Sequence, residues 1–141
     1  MPRDSERAEG RTPGAEVGVV TVDDQPVFLR AARDVIHATN GFTSVAEACS
    51  GKEALAVVAE HQPELVLVDV RMPGMDGIEV AELLKEAHPD VVVVLISIED
   101  PAEVPASAFS SGAAALVRKQ EFGPRMLRRL WVTHGAGTAR P

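Results

Sequence analysis

Five short runs rich in β-branched and aliphatic residues alternate along this chain with segments of helical pattern. The runs span residues 17–22, 42–48, 65–70, 91–97 and 114–117. Strands that alternate with helices are joined by right-handed crossovers and form a parallel sheet. The runs at 65–68 and 91–96 are continuously apolar, which is typical of central strands covered on both faces. The sequence therefore predicts an α/β fold with helices on both faces of the sheet.

Helix start signals follow each of the five runs. The predicted helices begin near Pro26, Ser50, Gly77, Pro101 and Pro124. Proline suits the first turn of a helix, where its missing N–H has no partner to lose. The fourth helix, 101–111, is the least regular, because Pro105 is tolerated only near a first turn. One face of the first helix is expected to turn inward, formed by Val27, Phe28, Ala31, Ala32, Val35 and Ile36.

Chain length and composition are those of one globular domain. The chain has 141 residues, of which 45% are hydrophobic and 25% are charged. Such a length fits one domain, which we expect over 17–134. Residues 1–16 mix Pro, Gly, Arg and Glu without periodicity, which predicts a flexible leader, and residues 135–141 are expected to form a tail or linker stub. Eight residues follow Thr133, so we expect no output domain within this chain.

Charge and cysteine content exclude several function classes. The net charge of −7 argues against direct nucleic-acid binding, which favours a basic surface. The single cysteine, Cys49, excludes an internal disulfide and a cysteine-based zinc cluster. The first residues lack the apolar core of a secretory signal, and the longest apolar run is too short for a membrane helix. The expected location is the cytoplasm.

Polar residues stand where the predicted strands end. Asp23 and Asp24 follow the first strand, Asp69 closes the third, Ser97 closes the fourth, and Lys119 follows the fifth. Ligands of open parallel sheets bind outside the carboxyl ends of the strands. We therefore expect three carboxylates, one hydroxyl and one ammonium group to meet at one edge of the sheet.

That set of groups is suited to phosphoryl chemistry. Three neighbouring carboxylates repel one another unless a cation is present, and hard oxygen ligands suit Mg²⁺. A carboxylate can act as a nucleophile and form an aspartyl-phosphate. Asp69 is the expected nucleophile because it follows an apolar strand that would hold it in place. Lys119 and Ser97 are expected to stabilise the phosphoryl oxygens.

Four stretches of the chain, in this order, resemble the receiver domain of two-component response regulators. They are VVTVDDQPVFLRAARDVI, LVLVDVRMPGMDGIEV, VVVVLIS and SGAAALVRK. The resemblance covers residues 17–134 and implies a flavodoxin-like (CheY-like) doubly wound sheet of five parallel strands, in the order 2-1-3-4-5. The first motif, VDDQP, is similar to that of the LuxR/NarL-type regulators, which continue into a helix-turn-helix domain.

The resemblance also implies roles for individual residues. Asp69 would accept a phosphoryl group from a sensor histidine kinase or a phosphotransfer protein. Asp24, Asp69 and the backbone carbonyl of Arg71 would ligate Mg²⁺, with Asp23 assisting partly through water. Ser97 would be the switch hydroxyl, and Lys119 would contact the phosphoryl group. Phosphorylation and hydrolysis would be self-catalysed, so the protein would not be a conventional enzyme.

Three further residues depart from the family pattern or adjoin the site, and we expect them to modulate it. Ile98 stands where the family usually has a small residue, and it is expected to screen the phosphoryl group. Leu116 replaces the aromatic switch residue of the last strand. Glu99, together with the Arg71 side chain, lies on loops beside the site and is expected to tune dephosphorylation.

The output of such a receiver would be a change of protein surface. The partner face is expected on the predicted fourth helix, the fifth strand and the fifth helix, and a homodimer is a further possibility. Arg125, Arg128 and Arg129 share one side of the last helix and fit either a solvated surface or a partner contact. Two alternatives stay open: the receiver portion of a helix-turn-helix transcription regulator, and a degenerate receiver that acts without phosphate.

Overall fold

The computed structural model describes residues 16–135, so the predicted leader (1–16) and tail (135–141) lie outside the described residues, apart from Glu16 and Gly135. Five strands form one parallel sheet in the order β2-β1-β3-β4-β5. The strands are β1 (Val17–Val22), β2 (Phe42–Ala48), β3 (Leu65–Asp69), β4 (Val92–Ser97) and β5 (Ala115–Arg118). The α-helices are α1 (Pro26–His37), α2 (Gly51–His61), α3 (Gly77–Ala87) and α4 (Pro124–Leu130). The predicted fold class and strand order are confirmed.

The sheet is buried on both faces, as the continuous apolar runs predicted. All residues of β3 and β4 are buried. One face packs against α2 and α3, through residues such as Val58 and Leu84. The opposite face packs against α1 and α4, through residues such as Ile36 and Leu127. Because alternate residues of a strand point to opposite faces, the central strands need apolar side chains at every position.

Helix α1 buries a narrower face than the sequence predicted. Ala32 and Ile36 are fully buried, and Phe28 and Val35 are half-buried. Val27, in contrast, is 73% exposed, and Ala31 is also exposed, so their predicted inward orientation is wrong. The four inward residues follow the spacing i, i+4, i+7, i+8, which forms one narrow stripe along a helix.

The predicted fourth helix is also wrong. Residues 101–111 form two short 3₁₀ segments, Pro101–Glu103 and Ala106–Ser110. Pro105 separates them because its nitrogen has no hydrogen to donate and its ring disfavours helical backbone in the preceding residue. Val104 accordingly has an extended conformation, with φ −83° and ψ 140°. The segment still docks on the core through Val104 and Ala108, which are buried.

The last helix begins at Pro124, as predicted, and continues into a π-helical turn over Trp131–Gly135. Leu127 and Leu130 are buried, whereas Arg125, Arg128 and Arg129 are exposed. None of the helices within residues 16–135 combines the length and apolarity that crossing a bilayer requires.

Candidate functional site

Three carboxylates meet at the carboxyl edge of the sheet. Asp23 and Asp24 follow β1, and Asp69 is the last residue of β3. One oxygen atom of each lies within 4.8 Å of the others. Asp23 has no solvent exposure and Asp69 is 6% exposed, whereas Asp24 is half-buried. The parallel pairing of Val22 with Val68 brings the ends of the two strands side by side, which creates the cluster.

Asp23 is fixed by backbone contacts on both sides. Its amide donates to the carbonyl of Ala48 at 3.0 Å, and its Oδ1 accepts the amide of Gln25 at 2.8 Å. An aspartate that accepts a hydrogen bond from the residue two positions on forms an Asx turn. The turn leads directly into Pro26 and helix α1, so the same residue closes the strand and starts the loop.

The buried environment shifts the acidity of Asp69. Its pKa is raised to about 6, first because burial penalises the charged form and then because Asp23 and Asp24 repel it. The Lys119 ammonium and a hydrogen bond from the Arg71 backbone act in the opposite direction and lower the pKa. Asp69 is therefore mostly ionised at neutral pH, but its ionised state is less favourable than that of a solvent-exposed aspartate, and a nearby positive charge stabilises it.

Lys119 supplies one such charge. It begins the 3₁₀ turn Lys119–Glu121 directly after β5. Its Nζ lies 2.6 Å from Oδ2 of Asp23 and 3.7 Å from Oδ1 of Asp69, and its side chain is only 13% exposed. The closer ion pair is thus formed with Asp23, and Asp69 is a second partner at longer range.

An aromatic ring lies against the same lysine. The Nζ atom of Lys119 is 4.8 Å from the centroid of the Phe28 ring, within the range of a cation–π interaction. Phe122 contacts that ring in a tilted arrangement, with centroids 6.3 Å apart and planes at 52°. The sequence had assigned Phe28 only to the core, and no pattern in the sequence indicated the contact with Lys119.

Ser97 closes β4 at the same edge of the sheet and is buried. Its Oγ accepts a hydrogen bond from the amide of Glu99 at 2.9 Å. The Glu99 carboxylate in turn pairs with the Arg71 guanidinium, at 3.0 Å and 3.3 Å. This ion pair joins the loop after β3 to the loop after β4. The two residues that were expected to adjoin the site therefore contact each other.

Ile98 and Leu116 lie differently from each other. The Ile98 side chain is 66% exposed, directly after the buried Ser97. Leu116 lies on β5 opposite Leu95 and is half-buried against the core cluster that contains Val104 and Ala108. Leu116 thus packs against the core, whereas the Ile98 side chain is exposed to solvent next to Ser97.

Gly77 is a site-shaping residue that sequence reasoning did not single out. A Cβ atom at this position would lie 2.0 Å from the carbonyl oxygen of Asp69. The Gly77 amide donates a hydrogen bond to the Val70 carbonyl at 2.9 Å, so helix α3 starts against the backbone at the end of β3. Only a residue without a side chain permits this approach. The DG pair at 76–77 carried the signal, because Asp76 caps the helix by accepting the Glu79 amide.

The three carboxylates fit a hard divalent cation. Their oxygens are close enough to share one ion, and burial together with their mutual repulsion raises the pKa of Asp69. Oxygen ligands and partial solvent access at Asp24 suit Mg²⁺, which keeps several waters. The part assigned to the Arg71 carbonyl stays a prediction, since the contact seen from that residue is donated by its amide.

The fold and the site together define a class of protein. A five-stranded parallel sheet in the order 2-1-3-4-5 carries an acidic cluster at its carboxyl edge, with a serine and a lysine at the ends of the two following strands. Comparison with known proteins gives the family: residues 19–130 match the response regulator receiver domain. The chain belongs to that family.

Individual relatives agree with this assignment. Over 103 residues the chain is 32% identical to the response regulator GacA of Pseudomonas viridiflava, covering 73% of this chain and 48% of the relative. It is 35% identical over 104 residues to the transcriptional regulatory protein NarL of Mycobacterium tuberculosis, covering 74% and 48%. The solved receiver domain of that NarL protein superposes with a TM-score of 0.77 at 30% identity, covering 84% of this chain and 96% of that one. The chain spans about half the length of the curated relatives it matches.

Proposed function

We propose that this receiver accepts a phosphoryl group on Asp69 from a histidine kinase or a phosphotransfer protein, with Mg²⁺ held by Asp23, Asp24 and Asp69. The observation that carries the proposal is the convergence of these three carboxylates within 4.8 Å, with Lys119 paired to two of them. Buried like charges are costly, and a site that concentrates them is built to receive positive charge.

The transfer is a substitution at phosphorus. An Oδ atom of Asp69 attacks, an O–P bond forms, and the N–P bond to the donor histidine breaks. The imidazole keeps the electron pair and takes a proton from solvent. The bound Mg²⁺ would neutralise oxygens of the phosphoryl group during the transfer. Asp69 must be ionised to attack, and its pKa of about 6 leaves it mostly ionised at neutral pH.

Lys119 and Ser97 complete the site from the neighbouring strand ends. The Lys119 ammonium would move from Asp23 toward a phosphoryl oxygen, because the phosphorylated group carries about two negative charges. The Ser97 hydroxyl accepts a hydrogen bond from the Glu99 amide at 2.9 Å. It would give up this bond and donate a hydrogen bond to another phosphoryl oxygen. Both moves draw loop residues toward Asp69, and neither requires a change in the sheet.

The signal would then pass to the surface beside Ser97. That surface comprises strand β5, helix α4, which is the predicted fifth helix, and the two 3₁₀ segments of 101–110, which take the place of the predicted fourth helix. Within this surface, the Leu116 side chain of β5 packs against the core. The Phe109 side chain is 64% exposed. The output would be a protein state rather than a released product, and a partner or a second copy of the chain would bind this surface.

Phosphorylation is tested with acetyl phosphate, a small donor whose O–P bond breaks to release acetate. With Mg²⁺ present, the wild-type protein should gain the mass of one phosphoryl group, and Asp69→Asn should gain none. Asp76→Asn is the matched control, because it makes the same change at a helix cap that asparagine also fills. An unmodified wild type would contradict the proposal, and equal labelling of Asp69→Asn would contradict the choice of acceptor.

A second candidate function is favoured by the relatives. The chain spans 48% of a relative named as a transcriptional regulatory protein. The receiver portion of a DNA-binding transcription regulator is therefore the alternative for the whole protein. Sequencing the reading frame beyond residue 141 decides between them, because a helix-turn-helix segment in frame would favour this candidate and a stop codon would exclude it.

A further inference from the structure

The structure points to Phe28 as a positioning residue for Lys119: we infer that its ring supports the ammonium group, so that Lys119 can pass from Asp23 to a phosphoryl group on Asp69. The inference rests on the proposed phosphoryl chemistry at Asp69. It assigns a part in that chemistry to a residue of helix α1 that has no polar atom in its side chain.

The first step of the argument is the surroundings of Lys119. A lysine has four rotatable side-chain bonds, and holding it in one place costs conformational entropy. Yet this side chain is 13% exposed, with Nζ 2.6 Å from Asp23 and 3.7 Å from Asp69. The Phe28 ring provides a further contact, at 4.8 Å from Nζ to the ring centroid. The ammonium therefore lies among two carboxylates and the ring.

The second step is the chemistry of that contact. The face of an aromatic ring carries negative electrostatic potential, which attracts a cation without accepting a strong directional hydrogen bond. The ring therefore does not compete with carboxylate or phosphoryl oxygens for the N–H donors of Lys119. It attracts the ammonium wherever the head group moves across the ring face. A leucine at this position would fill similar space but would lack the attraction.

The third step is that the ring itself is held. Phe28 lies in the first turn of α1, which starts at Pro26. Its ring is half-buried against the hydrophobic core between the sheet and helices α1 and α4. Phe122, directly after the turn that begins with Lys119, packs on it with centroids 6.3 Å apart. One ring thus comes from the helix after the acidic pair, and the other from the loop that carries the lysine. The pair ties the two sides of the site together.

The experiment compares Phe28→Leu with progressively fluorinated phenylalanine at position 28. Fluorination keeps the ring shape and weakens the attraction of its face for cations. The rate constant for phosphorylation by acetyl phosphate, at saturating Mg²⁺, should fall by about fivefold in Phe28→Leu and stepwise with fluorination. Val27→Leu is the control, because it changes the neighbouring side chain of α1, which is 73% exposed, and it should leave the rate unchanged.

Two further measurements separate positioning from general damage. In a Lys119→Met background, Phe28→Leu should have no additional effect on the rate, because the ring acts through the lysine. In the unphosphorylated protein, the ring current of Phe28 should shift the Lys119 Hε proton signals upfield, and Phe28→Leu should abolish that shift.

The inference is overturned if Phe28→Leu phosphorylates like the wild type, if fluorination has no effect, or if Phe28→Leu slows the Lys119→Met protein further. Failure of the proposed function is distinguishable, because wild-type protein would then not be phosphorylated at all. In that event the Lys119 proton shift still tests whether the ring and the ammonium are in contact.

Discussion

The ammonium nitrogen of Lys119 lies 2.6 Å from Oδ2 of Asp23, a residue with no solvent exposure. Asp23 is also one of the three carboxylates suited to a divalent cation. A cation bound by these carboxylates would therefore share Asp23 with the lysine, which partly neutralises the cluster before any ion enters. This relationship couples metal affinity to the position of Lys119.

Removing the lysine charge should strengthen metal binding and weaken phosphorylation. Lys119→Met should raise Mg²⁺ affinity by about fivefold, because about 1 kcal/mol of competing positive charge is removed. Titration calorimetry gives the affinity, and acetyl phosphate labelling gives the rate, which should fall. Lys52→Met, on a surface helix, is the control and should change neither. A weaker Mg²⁺ affinity in Lys119→Met would contradict the shared-ligand relationship.

Asp69 should make the protein less stable at neutral pH than in mild acid when no metal is bound. Its folded-state pKa of about 6 exceeds the usual value of 3.8, so the native state binds more protons between these values. The contribution of Asp69 to the free energy of unfolding is therefore fully present below pH 3.8. It is lost as the pH rises through 6, by roughly 2–3 kcal/mol.

The measurement is urea unfolding of wild type and Asp69→Asn in chelator, from pH 4 to pH 8. Asp69→Asn should be more stable than wild type at pH 8, and the gap should close toward pH 4. Adding Mg²⁺ at pH 8 should stabilise the wild type and affect Asp69→Asn less. A gap that does not change with pH would show that Asp69 is not destabilised by its charge.

Gly77→Ala should disrupt the site. The added Cβ atom would lie 2.0 Å from the Asp69 carbonyl oxygen, a backbone atom that cannot rotate away. We expect a loss of roughly 2–4 kcal/mol in the free energy of unfolding, together with weaker Mg²⁺ binding. Gly123→Ala is the matched control, since a Cβ there meets nothing within 4 Å and its backbone is extended. Equal stability of the two variants would contradict the packing argument.

Ile98 should affect the lifetime of the phosphoryl group rather than folding. Its side chain is 66% exposed beside Ser97, so truncation removes little packing. Ile98→Ala should shorten the half-life of phosphorylated Asp69 by admitting water, while the free energy of unfolding changes by less than about 0.5 kcal/mol. Val132→Ala is the control, because it truncates a 68% exposed side chain in the π-helical turn Trp131–Gly135. It should leave the half-life unchanged. An unchanged half-life would show that Ile98 does not screen the site.

The ion pair of Arg71 with Glu99 should act on dephosphorylation as a unit. The pair is largely exposed and contributes little to stability. It does join the two loops beside Asp69, so Arg71→Gln and Glu99→Gln should each change the dephosphorylation rate in the same direction. The double variant should match the single ones, because either change breaks the same contact. Additive effects in the double variant would show that the two residues act separately.

The sequence alone predicted the fold class and the five polar side chains at the carboxyl edge of the sheet. Apolar runs that alternate with helical segments predict a parallel sheet with helices on both faces. In such a sheet the carboxyl ends of all the strands lie at one edge. Asp23, Asp24 and Asp69 were therefore expected together, and the structure brings them within 4.8 Å. Ser97 and Lys119 were placed by the same rule. These predictions depend only on hydrophobic periodicity and chain connectivity, which are local properties.

Tertiary structure decided what local patterns do not specify. The exposure of Val27 and the pairing of Arg71 with Glu99 depend on which surfaces face each other in the folded chain. The same is true of Phe28, whose position in the helical pattern indicated only a core residue. Its contact with Lys119 joins residues that are 91 positions apart along the chain (119 − 28). Such contacts arise from packing in three dimensions, because side-chain direction and loop geometry are fixed only when the sheet and helices assemble.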